Sequence, residues 1–225
     1  MSNQNTIIFL TGLSGSGKGY FFEQFMPLNA FYKLKQMTSR DQRKGEKNGV
    51  HYYFSSEQEI EKTKLATRLF VNEKIWKPGD RKWLYGVPES EMYSHQGQNL
   101  VYEIIEPRYA RMMMDWMDEH DFNYHNMILH FESPAEHITA VQESRANMPN
   151  DLEIRRTNTS NIADFEAVNL QPTYNIVSSP ERFVVPEDLV DWLNMLSIEA
   201  KVGTKCRLPK DMVWKAHHFV REKAR

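Results

Sequence analysis

Residues 6–18 read Thr-Ile-Ile-Phe-Leu-Thr-Gly-Leu-Ser-Gly-Ser-Gly-Lys. The apolar half of this stretch predicts a strand over residues 6–11, and the half that follows fits the pattern G-x-x-x-x-G-K at residues 12–18. A helix-like stretch then runs from residue 17 to Pro27. A strand, a glycine-rich turn and a helix in this order form a phosphate-binding loop, in which backbone N–H groups and the helix N-terminus face the phosphates. The lysine of such a loop reaches toward the β- and γ-phosphate oxygens.

The loop predicts a site for the phosphates of a nucleoside triphosphate, with Lys18 as a catalytic residue. The residues predicted to contact these phosphates are Gly12, Ser14, Gly15, Ser16, Gly17, Lys18 and Gly19. Most phosphate loops carry Ser or Thr after the lysine, and its hydroxyl ligates Mg²⁺. Gly19 stands there in this chain. Adenylate kinases also carry glycine at that place, so the loop is compatible with a kinase and argues against a switch-type GTPase.

Length and composition restrict the chain to a few classes of protein. Its 225 residues suit one α/β domain with insertions, and its 40% hydrophobic share is that of a globular protein. The single cysteine, Cys206, excludes an internal disulfide and favours a reducing compartment. No apolar run reaches the length of a membrane span, and Met1–Asn5 has no basic region typical of a signal peptide. We therefore expect a cytoplasmic protein that contacts no membrane.

Strand-like and helix-like apolar periodicities alternate along the chain, which predicts an α/β fold with a parallel sheet flanked by helices. Further strands are predicted at 31–37, 51–54, 100–105, 127–131 and, as the last, 174–177. Further helices are predicted from Ser55 onward and over 88–95, 107–120, 134–145, 153–168 and 186–196. Residues 68–86 are predicted to form a hairpin with its turn at 77–80. The methionine-rich segment 112–117 has helical spacing and is assigned to the core.

A second constellation follows the first helix. Its residues are Thr38-Ser39-Arg40, Arg43, Gly45-Glu46, Gly49, Tyr52 and Phe54. This spacing resembles, without a gap, the pattern T-T-R-x-x-R-x-G-E-x-x-G-x-x-Y-x-F of the guanylate kinase family. Four later segments also resemble that family: Tyr85-Gly86, Glu143-Ser144-Arg145, Ile154-Arg155-Arg156 and Tyr174-Asn175-Ile176-Val177. The resemblance covers residues 6–197.

The resemblance implies a P-loop NTPase fold with a small β-rich mononucleotide-binding lobe and a helical lid. It implies an ATP- and Mg²⁺-dependent transfer of phosphate to a (deoxy)nucleoside monophosphate. By resemblance, the residues that hold the acceptor phosphate are Arg40, Arg43, Tyr52 and Tyr85. Catalytic arginines that close over the transferring group are Arg145 and either Arg155 or Arg156. Such roles suit arginine because its planar fork grips phosphate oxygens in pairs.

One acidic residue lies where the family carries D-x-D at the end of a strand. Glu103 matches the first acid, and Ile105 stands in place of the second. Glu103 is therefore an acceptor-site residue that either orients the water shell of the metal or has a structural partner. No residue is assigned as a direct metal ligand.

The positions that read the base in guanylate kinases differ in this chain. Gln36 replaces a serine, Val87 replaces a serine or threonine, and Asn72 stands at the acidic position. A shift of one residue in the hairpin would place Glu73 there instead. A missing hydrogen-bond partner forfeits discrimination between bases. The phosphate half of the acceptor site is thus retained while its base half is altered, and we expect weak use of GMP.

Two other functions stay open at this stage. The bacterial ribose 1,5-bisphosphate kinases share the fold and resemble the chain in Ser-Gly-Ser-Gly-Lys, in Ser-Arg-Asp and in Tyr-Gly-Val, which favours a phosphorylated sugar as acceptor. Arg43 and Tyr52 favour the nucleotide. The other alternative is a non-catalytic guanylate-kinase-like binding module. Such modules typically lack the lysine of the phosphate loop, whereas this chain keeps it as Lys18. The expected partner is a small phosphorylated substrate, nucleic acid is not expected, and the sequence does not indicate the oligomeric state.

The resemblance also divides the chain. It predicts a guanylate kinase-like domain over residues 1–200, with its core at 1–31 and 98–197, an acceptor lobe at 32–97 and a lid at 145–160. Residues 201–225 hold eight Lys and Arg against two acidic residues, which leaves a charge of −8 on the first 200. Within this tail, residues 210–223 have the pattern of an amphipathic helix that packs on the acidic core or contacts a partner.

Overall fold

The computed structural model describes residues 5–26, 30–43, 45–70, 83–104, 106–145, 162–179 and 183–199. Strands and helices are numbered in chain order within these residues. One sheet contains β1 (Thr6–Gly12), β2 (Phe31–Lys33), β7 (Asn99–Glu103), β8 (His125–Glu132), β9 (Tyr174–Ser178) and β10 (Phe183–Val184). Its order is β10-β9-β8-β1-β7-β2. All neighbours run parallel except β10, which is antiparallel to β9.

A second sheet stands beside the first and lies within the predicted acceptor lobe. It contains β3 (Met37–Thr38), β4 (Tyr53–Phe54), β5 (Leu65–Phe70) and β6 (Leu84–Pro88), in the order β4-β3-β6-β5. β5 and β6 pair antiparallel, as the predicted hairpin requires, with a register shift between Leu65 and Thr67. The predicted turn at 77–80 lies outside the described residues.

Seven helices lie in the described residues: α1 (Lys18–Phe25), α2 (Glu57–Lys62), α3 (Glu89–Ser94), α4 (Pro107–Glu119), α5 (Ala135–Arg145), α6 (Ile162–Ala167) and α7 (Glu187–Glu199). Local chemistry explains two of their starts. Ser56 caps α2 by accepting from the backbone of Glu59, whose side chain accepts from Ser56 N in return. Pro107 opens α4, where its missing N–H has no helical partner to lose.

The central strand β1 is buried on both faces. Ile7 and Phe9 pack into one apolar cluster, which includes the buried side of α4. Ile8 and Leu10 pack into the other cluster, which includes residues of α1 and α7. A parallel strand covered by helices on both faces carries apolar residues without alternation. The predicted α/β class, with a parallel sheet flanked by helices, is confirmed.

The methionine-rich segment lies in the core, as predicted. In α4 the buried residues include Met113, Met114, Trp116 and Met117. Met112 points away from this face and is 39% exposed. The helix therefore uses its methionines for packing, with one at the solvent side.

Three predicted strands need correction. The strand predicted at 31–37 is two strands in different sheets, since β2 pairs with β7 whereas β3 pairs with β4 and β6. The strand predicted at 51–54 shortens to Tyr53–Phe54 because residues 49–51 form a turn. Residues 174–177 are not the last strand: β10 follows, and its two residues are too few for a periodic pattern.

Part of the predicted organisation lies outside the described residues. This is true of Arg155 and Arg156, which are predicted to lie in a lid, of residues 153–161 of a predicted helix, and of the tail 201–225. The division into core, lobe, lid and tail stays a prediction. Among the described helices, none is long and apolar enough to cross a membrane.

Candidate functional site

The phosphate loop follows β1 at the carboxyl edge of the first sheet. Gly12, Gly15 and Gly17 have φ angles of 133°, 97° and 90°, which side-chain-bearing residues rarely adopt. A Cβ on Gly12 would lie 2.5 Å from the carbonyl oxygen of Phe131. A Cβ on Gly17 would lie 2.8 Å from Cζ of Phe183. The glycines that define the motif are thus required both by the backbone conformation and by the space around it.

Lys18 begins α1 and is 95% buried, since 5% of its surface is exposed. Its Nζ donates to the carbonyl oxygens of Gly12 at 2.7 Å and Leu13 at 2.9 Å. The ammonium therefore lies over the loop rather than in solvent. Gln142 of α5 braces the loop from the other side, because its Nε2 donates to Ser14 O at 2.9 Å.

Buried hydroxyls surround the loop without hydrogen-bond partners. Over the residues that the structure describes, Ser16 Oγ in the loop, Ser133 Oγ directly after β8 and Ser178 Oγ at the end of β9 have none. Buried polar groups are nearly always satisfied, so such orphans at one edge of a sheet indicate a site for a polar ligand. Phosphate oxygens accept from hydroxyls, and the residues present fit a nucleotide phosphate. The sequence reasoning missed Ser133 and Ser178, for which the only signal was their position directly after buried strands.

Arg40 lies at the centre of a second group, in the loop that follows β3. Its Nη1 and Nη2 donate to the two carboxylate oxygens of Glu46 at 2.8 and 2.6 Å, and its Nε donates to the Tyr85 hydroxyl at 2.9 Å. The guanidinium lies 4.8 Å from the ring centroid of Tyr52. Burial lowers the pKa of Arg40, but the bond to Glu46 and the nearby oxygens raise it well above its usual value. Arg40 is a permanent, buried cation.

Arg43 and Glu46 complete the arginine loop, which we define as residues 40–43, 45 and 46. Arg43 N donates to Glu46 Oε2 at 2.8 Å, and the Arg43 guanidinium is 4.0 Å from Glu46 Oε1. Burial raises the pKa of Glu46, yet the hydrogen bonds from Arg40 and Arg43 and their charges outweigh it and lower the pKa overall. The Glu46 carboxylate is thus shared by the two arginines of the loop.

Tyr52 contacts Arg40 of the arginine loop and also lies near Glu103. Its ring contacts Tyr85 edge to face, with centroids 5.9 Å apart. Burial raises the pKa of Tyr52 to about 12, helped by the negative charge of Glu103. The phenol therefore remains protonated and can donate a hydrogen bond to a bound anion.

Glu103 lies where the two groups meet. It ends β7 opposite Leu10 of β1, just before the phosphate loop. Both carboxylate oxygens are 3.8 Å from the place that a Cβ on Gly19 would occupy. The Glu103 backbone oxygen accepts from Gln36 Nε2 at 2.9 Å. Strand ends of the first sheet and residues of the second sheet are thus assembled around one carboxylate.

A lysine that the sequence reasoning missed also reaches Glu103. Lys33, the last residue of β2, donates from Nζ to Glu103 Oε2 at 2.6 Å. Burial lowers the pKa of Lys33, but the charge of Glu103, the hydrogen bond to Glu103 and the nearby Tyr52 and Glu23 together raise it overall. A lone lysine in a short strand gave no sequence signal; only the parallel pairing of β2 with β7 brings it to the site.

Glu91 of α3 holds the two sheets together behind the site. This buried carboxylate accepts from the hydroxyl of Tyr32 at 2.8 Å and from the hydroxyl of Tyr53 at 3.0 Å. It also accepts from Lys35 N at 3.0 Å. Tyr32 belongs to β2 of the first sheet and Tyr53 to β4 of the second, so this contact fixes one sheet against the other.

The remaining predicted site residues are not all in this group. Val87 is fully buried in the apolar cluster of the first sheet and contributes to packing. Arg145 is the last residue of α5. Asn72, Glu73, Arg155 and Arg156 lie outside the described residues. No group of three potential metal ligands occurs in the described part of the chain. Glu103 is the acid that faces the phosphate loop.

Known proteins provide a family likeness. No protein-family model matches the chain. The guanylate kinase of Malacoplasma penetrans is 34% identical over 131 residues, which are 54% of this chain and 61% of that protein. The guanylate kinase of Mycoplasmopsis pulmonis is 31% identical over 127 residues, which are 54% of this chain and 62% of that protein. The chain thus spans about three fifths of the length of these curated relatives.

A solved structure extends the likeness to most of the chain. The guanylate kinase of Anaplasma phagocytophilum superposes with a TM-score of 0.50 at 20% identity, and the match covers 91% of this chain and 89% of that one. At this identity the match demonstrates a shared fold.

Proposed function

The chain is guanylate kinase-like, in sequence over about half of its residues and in fold over most of them, and from this premise we propose that it is an ATP-dependent nucleoside monophosphate kinase. In the proposed reaction an oxygen of the acceptor phosphate attacks the γ-phosphorus of ATP. The bond from that phosphorus to the β–γ bridging oxygen breaks, and the products are ADP and a nucleoside diphosphate. Such transfers depend almost entirely on positioning and on charge stabilisation.

The observation that carries the proposal is the meeting of two anion-binding groups at Glu103. The phosphate loop lies on one side of this carboxylate, within reach of Gly19. The arginine loop is linked to Glu103 through Tyr52, which is close enough for the Glu103 charge to raise its pKa and whose ring lies 4.8 Å from the Arg40 guanidinium. A donor and an acceptor phosphate bound to these groups would face each other across the carboxyl edge of the sheet. A simple nucleotide-binding protein has no need for the second group.

We assign the residues of the first group to ATP. Lys18 and the loop from Gly12 to Gly19 would hold the β- and γ-phosphates, and the orphan hydroxyls of Ser16 and Ser178 would donate to phosphate or nucleotide oxygens. Mg²⁺, when bound, would supply further charge neutralisation to the phosphates. Arg145 and either Arg155 or Arg156 are assigned to the closed state, in which the lid covers the transferring group.

The arginine loop is assigned to the acceptor phosphate, with unequal shares for its two arginines. A guanidinium has five N–H donors, and Arg40 uses four of them on Tyr85, Asp41 O and the two oxygens of Glu46. Arg40 therefore contributes its charge and a single further donor. Arg43 is less buried, and we assign it the larger part of the direct contact, together with Tyr52 and Tyr85.

The base of the acceptor is proposed to differ from guanine. Gln36 approaches Glu103 from the second sheet, where its Nε2 is engaged by a backbone oxygen. An amide at this place offers hydrogen bonds unlike those of a serine hydroxyl. Either Asn72 or Glu73 is proposed as a further base-reading residue. Val87 is better explained as a core residue, because its side chain has no exposed surface.

A panel of acceptors tests the function. The chain is incubated with ATP, Mg²⁺ and each nucleoside or deoxynucleoside monophosphate, including 5-modified pyrimidines, and with phosphorylated sugars as alternatives. We expect ADP formation that depends on one or a few nucleoside monophosphates, with weak use of GMP. Lys35→Met is the control, since Lys35 Nζ lies over the rings of Tyr32 and Tyr53, at 5.4 and 5.9 Å from their centroids. ADP formation with a phosphorylated sugar alone, or with no acceptor, would contradict the proposal.

A further inference from the structure

Lys33 and Glu103 form an ion pair at the place where a phosphate loop normally carries its metal-binding hydroxyl. The residue after the loop lysine is Gly19, which has no side chain, and the Glu103 carboxylate lies 3.8 Å from the position of its missing Cβ. The Lys33 ammonium is 2.6 Å from Glu103 Oε2. Three neighbouring strands thus deliver the loop, the acid and the base to one point, because β1, β7 and β2 are adjacent in the sheet.

An aromatic ring of α1 also contacts the Lys33 ammonium. Lys33 Nζ lies 5.1 Å from the centroid of the Phe22 ring, and Phe22 belongs to α1, the helix that begins at the phosphate loop. The ring face attracts a cation. The Lys33 and Glu103 side chains are 34% and 25% exposed, so both charges are partly removed from water. The ion pair is therefore a partly buried contact at the carboxyl edge of the first sheet and not a solvent-exposed surface contact.

A carboxylate beside a triphosphate has an electrostatic consequence. Alone, Glu103 would repel the phosphates and attract a divalent cation. With the Lys33 ammonium at 2.6 Å, the pair is neutral at longer range and the repulsion is cancelled. The same ammonium weakens the attraction for a metal ion. A lysine in this position would therefore favour metal-free nucleotide over metal-bound nucleotide at this site.

We propose that Lys33 is a positioning residue that neutralises Glu103, so that the phosphate loop accepts a nucleotide before its divalent cation binds. The proposal rests on the proposed function for the identity of the ligand, a nucleoside triphosphate with Mg²⁺. In this proposal the Glu103 carboxylate is paired with the Lys33 ammonium, and it would also face the water shell of Mg²⁺ when the metal is bound.

Binding measurements with two probes test this role without turnover. The first probe is the non-hydrolysable β,γ-methylene-ATP in the presence of a chelator, and the second is Mn²⁺ added to the protein saturated with that analogue. In Lys33→Met we expect metal-free affinity for the analogue to fall about tenfold, since the Glu103 carboxylate then faces the phosphates without the Lys33 charge beside it. Affinity for Mn²⁺ should rise by a similar factor. Lys33→Arg keeps the charge and should resemble the natural chain in both titrations.

Two further variants separate this role from a merely structural one. The double variant Lys33→Met with Glu103→Gln should recover metal-free binding of the analogue, because the carboxylate charge is removed as well. Lys35→Met is the matched control, since its ammonium lies over the rings of Tyr32 and Tyr53 instead of Glu103. Thermal melting of each variant checks its fold, and Lys33→Gln replaces Lys33→Met if the latter melts early.

Each outcome decides between the two proposals. If Lys33→Met leaves both titrations unchanged, or if the double variant binds the metal-free analogue no better than Lys33→Met, the role of Lys33 is wrong. If the natural chain binds the analogue and Mn²⁺ as expected but transfers phosphate to no acceptor of the panel, the proposed kinase function fails while the role of Lys33 stands.

Discussion

The phosphate loop and the arginine loop are both arranged to bind anions, but they use different parts of the chain. The phosphate loop relies on backbone geometry, with three glycines at positive φ and a lysine held by two carbonyl oxygens. The arginine loop relies on side chains, with Arg40 fixed by the bidentate contact to Glu46. One loop is shaped by the absence of side chains and the other by a buried charge pair.

This difference predicts how each loop fails. The backbone site tolerates no added Cβ at Gly12 or Gly17, because the space beside these glycines is already filled by Phe131, Phe183 and Ser178. A side-chain site tolerates changes of shape but depends on its internal charge balance, since Glu46 opposes part of the charge that the arginines supply. Substitutions in the two loops therefore separate steric from electrostatic causes.

The largest effect is expected from Lys18→Met. The ammonium is the only side-chain charge that the phosphate loop itself carries, and removing it should lower turnover by on the order of 10³-fold or more. The measurement is steady-state ADP formation with the best acceptor of the panel, together with thermal melting to check the fold. Turnover at the natural rate in a folded Lys18→Met protein would exclude phosphoryl transfer at this loop.

Gly17→Ala tests the steric half of the comparison. The new Cβ would lie 2.8 Å from both Phe183 Cζ and Ser178 Oγ, at a φ of +90°. We expect loss of nucleotide binding and destabilisation by about 2–3 kcal/mol, from backbone strain and the clash together. The control is Gly97→Ala, which has a φ of +83° but no atom within 4 Å and should cost about 1 kcal/mol. Urea unfolding measures both, and equal losses would mean that strain alone matters.

Arg40→Ala and Arg43→Ala test the electrostatic half. Both should lower kcat/KM for the acceptor by at least about 30-fold, equivalent to about 2 kcal/mol, while KM for ATP stays nearly constant. Stability should separate them. Arg40→Ala leaves Glu46 without its main partner, with 16% of that side chain exposed, and should cost about 2–3 kcal/mol. Arg43→Ala should change stability by less than about 0.5 kcal/mol.

Steady-state kinetics measures kcat/KM for the acceptor and KM for ATP, and urea unfolding independently measures the free energy of unfolding of each variant. The control is Arg108→Ala, whose side chain is 50% exposed on α4 and pairs with Glu106. Equal effects of Arg40→Ala and Arg43→Ala on KM for both substrates would contradict the assignment of the arginine loop to the acceptor.

The charge pair also predicts a pH dependence. In the folded chain the pKa of Glu46 lies below its ordinary value of about 4.5. Between the lowered pKa and the ordinary one, the unfolded chain therefore binds more protons at Glu46 than the folded chain does. The free energy of unfolding consequently rises with pH between these two pKa values. The stabilising effect of Glu46 is complete above the ordinary value and is lost as the pH falls through the folded value.

Glu46→Gln measures this effect. We expect the variant to be less stable than the natural chain at pH 6.5 by about 1–2 kcal/mol, and the difference to shrink as the pH falls below about 4.5. Urea unfolding at a series of pH values checks the trend, with Glu61→Gln on the exposed side of α2 as control. A difference that stays constant down to acid pH would show that Glu46 acts through its shape and not its charge.

The sequence predicts best where local chemistry decides. The strand, turn and helix around residues 6–25 and the helix predicted from residue 107 each depend on neighbouring residues, and the structure contains both. The same holds for the two-faced burial of β1, which its continuous apolar run predicts.

What the sequence did not predict depends on contacts between distant segments. Lys33 meets Glu103 only because β2 and β7 are neighbours, although 70 positions separate the two residues. Ser178 lies beside Gly17 only because β9 and β10 place Ser178 and Phe183 next to the phosphate loop. Val87 was assigned to base reading by its place after Tyr-Gly, but the packing of β6 against the first sheet buries it. Pattern alone does not distinguish a pocket position from a core position on the same strand.

The smallest effect is expected from Gln36→Ser, which concerns specificity alone. Gln36 holds the Glu103 backbone oxygen from the second sheet, so its amide lies at the border of the acceptor group. A serine there restores the hydroxyl of guanylate kinases and should raise the use of GMP relative to the best acceptor by less than about tenfold, since one neutral hydrogen bond contributes about 1 kcal/mol. The ratio of kcat/KM values measures it, with Gln98→Ser on the surface as control. Val87→Ser is unsuitable, because a hydroxyl in the apolar cluster would destabilise the fold. If the natural chain already uses GMP efficiently, or if Gln36→Ser leaves the ratio unchanged, the base is read by Asn72 or Glu73, and the same ratio measured in Asn72→Ala and Glu73→Ala identifies which.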